Sequence, residues 1–346
     1  MRVNRWHFLS GIVAIPAAAL LAAWIGFFNV GASSGHWKIT DWFLHFAMRS
    51  AVRTYALAVE PPPPFTEAML QPAAGHFAQG CAMCHGAPGE ERSPAVLQML
   101  PQPPDLAEKM GEWSDAELFR IVKHGVRFTG MPAWPSQERD DEVWAMVAFL
   151  RRLPELDAAG YRELAFGEGG LAAGERSFET ALGDCVRCHG RDGMGRSPLT
   201  PIIAGQNEAY LVESLRAYAA HERPGGFMSV PAVAADPDLW PRLARHFAAQ
   251  PRPRHPDPAP SEAGRRIAEN GVPQRAVPAC LSCHDGRRDP AYPRLDGQRR
   301  DYLEAQLRLF HAGKRAGTRY AQIMTRAAKG LTEEEIEALA GYFAGR

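Results

Sequence analysis

The six cysteines of this 346-residue chain form three pairs that share one spacing. Each pair reads Cys-x-x-Cys-His, and the three copies begin about a hundred residues apart. Two thiols on one helical turn can bond the two vinyl groups of one porphyrin, and the following histidine can bind its iron. The pattern predicts three covalently bound haem c groups. The predicted attachment points are Cys81, Cys84, Cys185, Cys188, Cys280 and Cys283, and the predicted proximal iron ligands are His85, His189 and His284.

Three other roles for such cysteines explain the pattern less well. A structural zinc site draws four ligands from closely spaced pairs, whereas here each pair stands alone with one histidine. A thioredoxin-like pair requires a strand just before it, and no strand alternation precedes these motifs. A disulfide between such close cysteines is strained. None of the three roles requires a histidine after every pair.

A methionine later in each unit is the predicted second iron ligand. Met228 lies 39 residues after His189, and Met324 lies 40 residues after His284. This agreement, together with shared Gly-Gln and Tyr-Leu pairs between motif and methionine, indicates an internal repeat. The repeat supports Met228 and Met324 as ligands.

The first unit is a more distant copy, in which the interval from His85 to the preferred methionine is 46 residues. We favour Met131 because the flanking Gly130 and Pro132 can hold its thioether rigidly. Met99 and Met110 are competitors, and His124 is a weaker one. Single methionines more often fill cores than bind metals.

The N-terminus predicts a membrane anchor. Residues 8–28 form an uncharged apolar run preceded by Arg2 and Arg5, and that length can cross a bilayer as a helix. A cleaved signal peptide is the alternative, although Val30-Gly31-Ala32 is a weak cleavage site. The arginines predict a cytoplasmic N-terminus. We therefore expect a single-pass protein of the bacterial inner membrane, in contact with lipid and with its haem domains in the periplasm.

The next segment, residues 36–64, predicts an amphipathic helix followed by a stiff spacer. Apolar residues recur at helical intervals up to residue 59, and Pro61 to Pro64 then end the helix. The helix could lie near the membrane surface or pack on the first domain or a partner subunit.

The expected fold is all-α, with three tandem haem domains after the transmembrane helix. Gly75 and Gly264, each on the first helix of its domain, would let first and last helices cross closely. Ser114 with Glu117, and Thr332 with Glu335, predict capping boxes. The predicted segments are 1–35 (anchor), 36–64 (juxtamembrane helix and spacer), 65–156 (first domain), 157–170 (linker), 171–250 (second domain), 251–260 (linker) and 261–346 (third domain).

The charge balance excludes one class of partner. Lys plus Arg and Asp plus Glu both total 39, so the chain lacks the basic excess of a nucleic-acid-binding protein. Bound haems would add propionates and make the protein more acidic. We expect no nucleic-acid partner.

These motifs resemble those of class I cytochrome c domains. The last two units are similar to dihaem cytochromes of the c4 type, which share the Gly-Gln-x-x-x-Tyr-Leu pattern at 205–211 and 297–303. The first 155 residues resemble membrane-anchored monohaem cytochromes, with Pro-Pro-Asp-Leu at 103–106 and Gly-Met-Pro-Ala-Trp at 130–134. The resemblance implies a trihaem cytochrome.

The same resemblance implies further roles. In such proteins a proline carbonyl accepts a hydrogen bond from the proximal imidazole, and this role falls to Pro201, Pro293 and either Pro103 or Pro104. It also implies that the second and third units form a fixed pair, whereas the first could hinge on residues 154–170.

These observations predict an electron-transfer protein rather than an enzyme. The first hypothesis is an electron carrier, tethered to the membrane, that feeds a terminal oxidase or links it to the quinol-oxidising complex. The alternative is the cytochrome subunit of a periplasmic dehydrogenase that passes substrate electrons to quinone or another cytochrome. A peroxidase-like haem would require one iron to lack its methionine.

Overall fold

The computed structural model describes residues 5–27, 29–169, 177–252, 261–286 and 289–346. Within these ranges the chain is helical, and its β pairings are two isolated bridges, Ala87 with Glu90 and Val272 with Val277. The predicted all-α fold is therefore confirmed for the described residues. The end of the first predicted linker, the start of the second predicted domain and most of the 251–260 linker lie outside them.

The N-terminal run forms helix α1, Arg5–Trp24. This helix ends four residues before Phe28, contains Pro16 and is rich in alanine, which is less apolar than leucine or isoleucine. In the part of the chain that the structure describes, no helix has both the length and the apolar character needed to cross a membrane. The predicted transmembrane anchor, its lipid contact and the single-pass inner-membrane location are therefore wrong on this finding.

Helix α2, Lys38–Ala56, packs on the first haem unit. Arg49 forms a 2.5 Å ion pair with Glu112 and stands 4.8 Å over the Trp113 ring. Arg120 in turn lies 4.9 Å over the Tyr55 ring. Of the two expected placements for this helix, the contacts favour packing on the first domain.

The first unit is the set of elements around the core cluster that extends from Leu70 to Ala165. The Phe77 and Phe149 rings meet at its centre, 5.2 Å apart, and both side chains are fully buried. Ser114 and Glu117 form the predicted capping box. Its helices are α3 Glu67–Gly80, α4 Ala82–His85, α5 Pro94–Leu97, α6 Leu106–Lys109, α7 Asp115–His124, α8 Asp140–Arg152 and α9 Ala158–Phe166.

Helix α9 occupies most of the stretch that we expected to be a linker. Asp157 caps it through a 2.7 Å bond from the Gly160 amide, and Tyr161 and Ala165 are buried. The Tyr161 ring meets the Phe77 ring edge-on at 6.2 Å. This stretch therefore belongs to the core of the first unit.

The second and third units surround separate core clusters, from Ala181 to Phe247 and from Ala268 to Phe343. Thr332 and Glu335 form the other predicted capping box. The second unit contains α10 Phe178–His189, α11 Glu208–Ala219, α12 Gly226–Ala234 and α13 Trp240–Ala248. The third unit contains α14 Glu262–Asn270, α15 Leu281–His284, α16 Arg300–His311, α17 Ala321–Lys329 and α18 Glu333–Ala344.

The two glycines that we expected at helix crossings have different surroundings. A Cβ at Gly264 would overlap the Ala338 carbonyl of α18, as expected for a close crossing. A Cβ at Gly75 would instead lie 2.9 Å from the Cys188 sulfur of the second unit. Gly75 therefore makes room for a neighbouring unit rather than for α8.

Candidate haem-binding sites

Each Cys-x-x-Cys-His motif lies on a helical turn. The first and third motifs form the short helices α4 and α15, and the second is the end of α10. The His85 and His284 amides each donate to the carbonyl of the first cysteine of their motif at 3.0 Å. Residues three apart on such a turn lie on the same side, so both thiols of a pair can reach one porphyrin.

All six cysteines are free of disulfides, and as whole residues they are half-buried. Burial of the sulfur, followed by the neighbouring Cys84, raises the pKa of Cys81 to about 12. Burial likewise raises the pKa of Cys185 to about 12 and that of Cys280 to about 11. The disulfide alternative is not formed, and burial keeps the Cys81, Cys185 and Cys280 thiols uncharged.

A proline carbonyl lies beside the Nδ1 atom of each motif histidine. The Nδ1 to oxygen distances are 2.9 Å from His85 to Pro104, 3.3 Å from His189 to Pro201, and 3.0 Å from His284 to Pro293. A hydrogen bond at Nδ1 fixes the tautomer and leaves Nε2 for a metal. The expected pairing with Pro201 and Pro293 is confirmed, and Pro104 takes the role in the first unit.

The second and third histidines are buried, with exposed fractions of 7% and 5%. Burial lowers the pKa of His189 to about 4, against the weaker opposing effect of the Pro201 hydrogen bond. The Nε2 atom of His284 is buried without a hydrogen-bond partner. A neutral imidazole with an unsatisfied Nε2 fits an iron ligand.

The second and third motifs open into one shared cavity of about 460 Å³. The predicted methionines line this cavity together with the motif residues that they would face across the iron. Met194, which follows the second motif closely, does not line it. The predicted ligands among the lining residues are Cys185, Cys188, His189, Met228, Cys280, Cys283, His284 and Met324.

Two arginines of this cavity are buried without an acidic partner among the described residues. Arg223 and Arg315 are 3% and 5% exposed. Arg223 donates to Ser214 Oγ at 2.9 Å, and Arg315 donates to Gln306 Oε1 at 2.8 Å and to the Tyr210 hydroxyl at 3.2 Å. One nitrogen of each guanidinium has no hydrogen-bond partner. Buried cations require a counter-anion, and haem propionates would supply one.

The same charges act on Tyr210. Burial alone would raise the pKa of this phenol, but the Arg223 and Arg315 charges outweigh that effect and lower it to about 8. Burial, followed by the Arg223 charge, lowers the pKa of Arg315. The Arg223 and Arg315 charges therefore favour an anionic group in this part of the cavity.

Two glutamines form a reciprocal clamp between the second and third units. Gln298 of the third unit accepts from the Ile202 amide at 2.8 Å and donates to its carbonyl at 2.9 Å. Gln206 of the second unit accepts from the Arg294 amide at 2.8 Å and donates to its carbonyl at 3.0 Å. Ile202 and Arg294 each follow the proline that faces a motif histidine. Each glutamine therefore fixes the backbone beside the other unit's histidine.

The first unit covers the second motif. Arg187, between the two cysteines of that motif, is 2% exposed and donates to the Gly75 carbonyl at 2.8 Å. Its own carbonyl accepts from Gln71 Nε2 at 3.0 Å, and Ser197 Oγ donates to the Ala68 carbonyl at 2.6 Å. These contacts hold helix α3 against the second unit, contrary to the expected hinge.

The first site is less complete. A cavity of about 470 Å³ beside His85 is lined by Arg92, Leu97 and Asp105, and Met131 does not line it. The Met131 backbone is nevertheless fixed, because its amide donates to Thr129 Oγ1 at 3.1 Å and its carbonyl accepts from the Val126 amide at 3.2 Å.

The competitors of Met131 differ in their surroundings. Met110 is 5% exposed and packs in the first core, and His124 is exposed. The methyl end of Met99 lies where a Cβ at Gly130 would be, so this thioether adjoins the Met131 loop. Met131 stays a prediction, with Met99 as its competitor.

Comparison with known proteins identifies the family. Residues 68–150 match the family described as cytochrome c oxidase, cbb3-type, subunit III. Residues 261–345 match the family described as cytochrome c.

Three relatives match about half of the chain. Cytochrome c-552 of Acidithiobacillus ferridurans is 35% identical over 46% of this chain and 72% of the relative. Cytochrome c4 of Azotobacter vinelandii is 32% identical over 54% of this chain and 93% of the relative. The thiosulfate dehydrogenase electron acceptor of Thiomonas intermedia is 31% identical over 47% and 78%.

Proposed function

Because the chain belongs to the cytochrome c4 family of electron-transfer cytochromes, we propose that it binds three haem c groups and relays electrons among redox proteins. The chain is an electron-transfer protein and not a catalyst. Three cysteine pairs would hold the porphyrins. The proposed iron ligand pairs are His85 with Met131, His189 with Met228, and His284 with Met324.

The observation that carries the proposal is the shared cavity of the second and third units. The cysteines and histidines of two motifs, together with Met228 and Met324, line this one cavity, which supports their assignment to two haems. The unpartnered Nε2 of His284 and the two buried guanidiniums supply what a haem iron and its propionates would bind. A haem with His and Met ligands supplies reversible one-electron chemistry at a raised potential.

The residues of the chain would then orient and insulate the carriers. The proline carbonyls would fix the imidazole planes, and the burial of His189 and His284 would limit contact of the second and third irons with water. Since each iron would have six ligands, none would offer an open position to a substrate. Electrons would enter at one unit and leave at another.

We propose a terminal oxidase as the electron acceptor. The match of residues 68–150 to a family named for an oxidase subunit supports this choice. The alternative is a subunit that takes electrons from a dehydrogenase, and the relative named a thiosulfate dehydrogenase electron acceptor supports it. Rapid mixing of the reduced protein with an oxidase, and of the oxidised protein with a thiosulfate dehydrogenase, would separate the two. Electron transfer in neither mixture would reject both partners.

The haem count is the direct test of the proposal. The full chain, produced with a haem-attachment system, should gain the mass of three haems and show no fast binding of carbon monoxide after reduction. Fewer than three haems would overturn the three-site proposal. Rapid carbon monoxide binding would show that one site lacks its methionine. If the reduced protein binds none, Met131→Ala compared with Met99→Ala would identify the ligand of the first site, because only loss of that ligand opens the iron to the gas.

A further inference from the structure

The helix that carries Met228 begins against the first unit. Helix α12 starts at Gly226, and its N-cap residue, Gly225, has no side chain to cap it. The first amides of a helix have no partner within the helix and must find one elsewhere. Here that partner comes from another unit of the molecule.

Glu142 of helix α8 supplies the cap. Its Oε2 accepts from the Gly226 amide at 2.6 Å and from the Phe227 amide at 3.4 Å. The side chain is 4% exposed. A carboxylate at a helix N-terminus stabilises the helix, and more strongly when it is buried.

Glu142 is itself fixed from two sides. Arg139 Nη1 lies 2.9 Å from its Oε1 and donates to the Pro224 carbonyl of the second unit at 3.2 Å. Trp134 Nε1 donates to its Oε2 at 3.3 Å. The carboxylate is therefore held in one place, and so are the amides that it binds.

An aromatic contact closes the same junction. The Trp134 ring meets the Phe227 ring edge-on at 5.6 Å, and His76 lies 4.6 Å from Trp134 and 5.5 Å from Phe227. Phe227 packs against the core of the first unit rather than that of its own. A Cβ at Gly226 would overlap Trp134 Nε1, so the close approach of the α12 backbone to the Trp134 ring requires glycine at this position. Trp134 follows Met131 by three residues, and Phe227 immediately precedes Met228.

We infer that Glu142 of the first unit is a positioning residue for the methionine of the second unit. It fixes the start of α12 and thereby the distance of the Met228 thioether from the iron, and its charge adds to the field at the second site. This inference rests on the proposed haem function and on Met228 as ligand. It makes the second site dependent on the docking of the first unit.

The test uses the full, haem-loaded chain and three variants. Glu142→Ala removes the cap, and Glu142→Gln keeps an acceptor of the same size without the charge. Glu138→Gln is the matched control, because Glu138 is an exposed carboxylate just before helix α8 whose contact is with Ser136. The readouts are the three midpoint potentials, the methionine-to-iron absorption band of the oxidised protein, and thermal unfolding. Met228→His first identifies the midpoint and the share of the band that belong to the second site.

Glu142→Ala should remove the second site's share of the band and lower its midpoint, because loss of the thioether favours oxidised iron. We expect at least a tenfold change in the ratio of oxidised to reduced second site, or about 59 mV for one electron. Glu142→Gln should keep the band and raise that midpoint, because a negative charge is lost. The first and third midpoints, and all three in Glu138→Gln, should stay unchanged.

Two outcomes distinguish the possible failures. An unchanged second midpoint and band in Glu142→Ala, in a protein that still unfolds cooperatively, would overturn the inference and leave the electron-transfer proposal intact. An unchanged midpoint and band in Met228→His would instead overturn the proposed ligand. If Glu142→Ala does not fold, the rise expected in Glu142→Gln decides, and its absence overturns the inference.

Discussion

At the residue scale, buried polar side chains around the sites carry as much information as the motifs. The cysteines, the histidines and the repeat of Gly-Gln before Met228 and Met324 could be identified from the sequence, because haem attachment would fix the spacing of each motif. The roles of Gln206 and Gln298 could not, since their partners lie about 90 residues away in the chain. Those of Arg223 and Arg315 could not either, since the anion that they would bind is not part of the polypeptide.

The glutamine clamp predicts an effect of one unit on the other. Gln298→Leu would leave both backbone groups of the buried Ile202 unpaired and loosen Pro201, the acceptor of the His189 hydrogen bond. A weaker hydrogen bond makes the imidazole less basic, so the midpoint of the second unit should rise more than that of the third. A redox titration with assigned midpoints checks this.

Gln206→Leu is the mirror control for the clamp. It should raise the third midpoint more than the second, because Gln206 binds the backbone of Arg294 beside Pro293. If each variant changed only the midpoint of its own unit, the clamp would have no role across the interface.

His76 predicts an acid-dependent loss of stability. Burial, followed by the Arg187 charge, lowers its pKa to about 4 from 6.5. The unfolded state therefore binds a proton more readily, so stability is full above pH 6.5 and falls as the pH drops toward 4. The loss would reach about 3 kcal/mol below that window.

His76→Phe should abolish this component, because the phenyl ring does not titrate and the neighbours are the aromatic Trp134 and Phe227. Denaturant unfolding at pH 7.5 and pH 4.5 would measure this: the free energy of unfolding should decrease less between the two pH values in the variant than in the wild type. His311→Gln, which removes an exposed histidine, should keep the wild-type loss. Equal losses in wild type and His76→Phe would show that His76 makes no contribution.

At the element scale, the helix ends could be predicted from the sequence more readily than the elements against which each helix packs. Both capping boxes formed as expected because they depend on residues three apart. The linker expected at 157–170 instead contains a helix whose Tyr161 fills the first core. Gly75 is a small residue of the kind found where helices cross. The neighbour that it faces is Cys188 of the second unit, and the sequence around Gly75 does not encode how that unit docks.

The crossing of α14 and α18 predicts opposite effects for two glycines. Gly264→Ala would drive a Cβ into the Ala338 carbonyl, and overpacking of this kind costs about 1–3 kcal/mol. Gly341→Ala on the facing helix has room, since its Cβ would lie 4.0 Å from the nearest atom, in Ser261. It should stabilise α18 by about 0.5–1 kcal/mol.

Chemical unfolding of the full chain would measure both changes, followed at a signal of the third unit. Both variants add the same methyl group, so a general effect of alanine would change the free energy of unfolding of both in the same direction. Equal destabilisation by Gly341→Ala and Gly264→Ala would contradict the close crossing at Gly264.

At the scale of the whole molecule, the second unit is the common neighbour of the other two. The first unit reaches it through Glu142 and Gln71, and the third through Gln298 and the shared cavity. The sequence indicated three units, of which the last two form an internal repeat, and the family resemblance implied that these two form a fixed pair. The docking of the first unit was not predicted, because it depends on single residues such as Arg187 that also suit an exposed position.

This arrangement predicts an order of dependence among the sites. Replacement of Cys280 and Cys283 by serine should prevent haem attachment in the third unit. The second midpoint should then change, because the second site loses the neighbour with which it shares a cavity. The first midpoint should change less, since the first unit contacts the second through Glu142 and Arg187. The measurement is a redox titration of the two remaining haems.

The matched change at the other end replaces Cys81 and Cys84 by serine. The second midpoint should again respond, because helix α3, which ends next to Cys81, packs against the second motif. The third midpoint should stay within the error of the wild-type value. A third midpoint that moved as far as the second would mean that the field of the first haem, rather than contacts through the second unit, couples the sites.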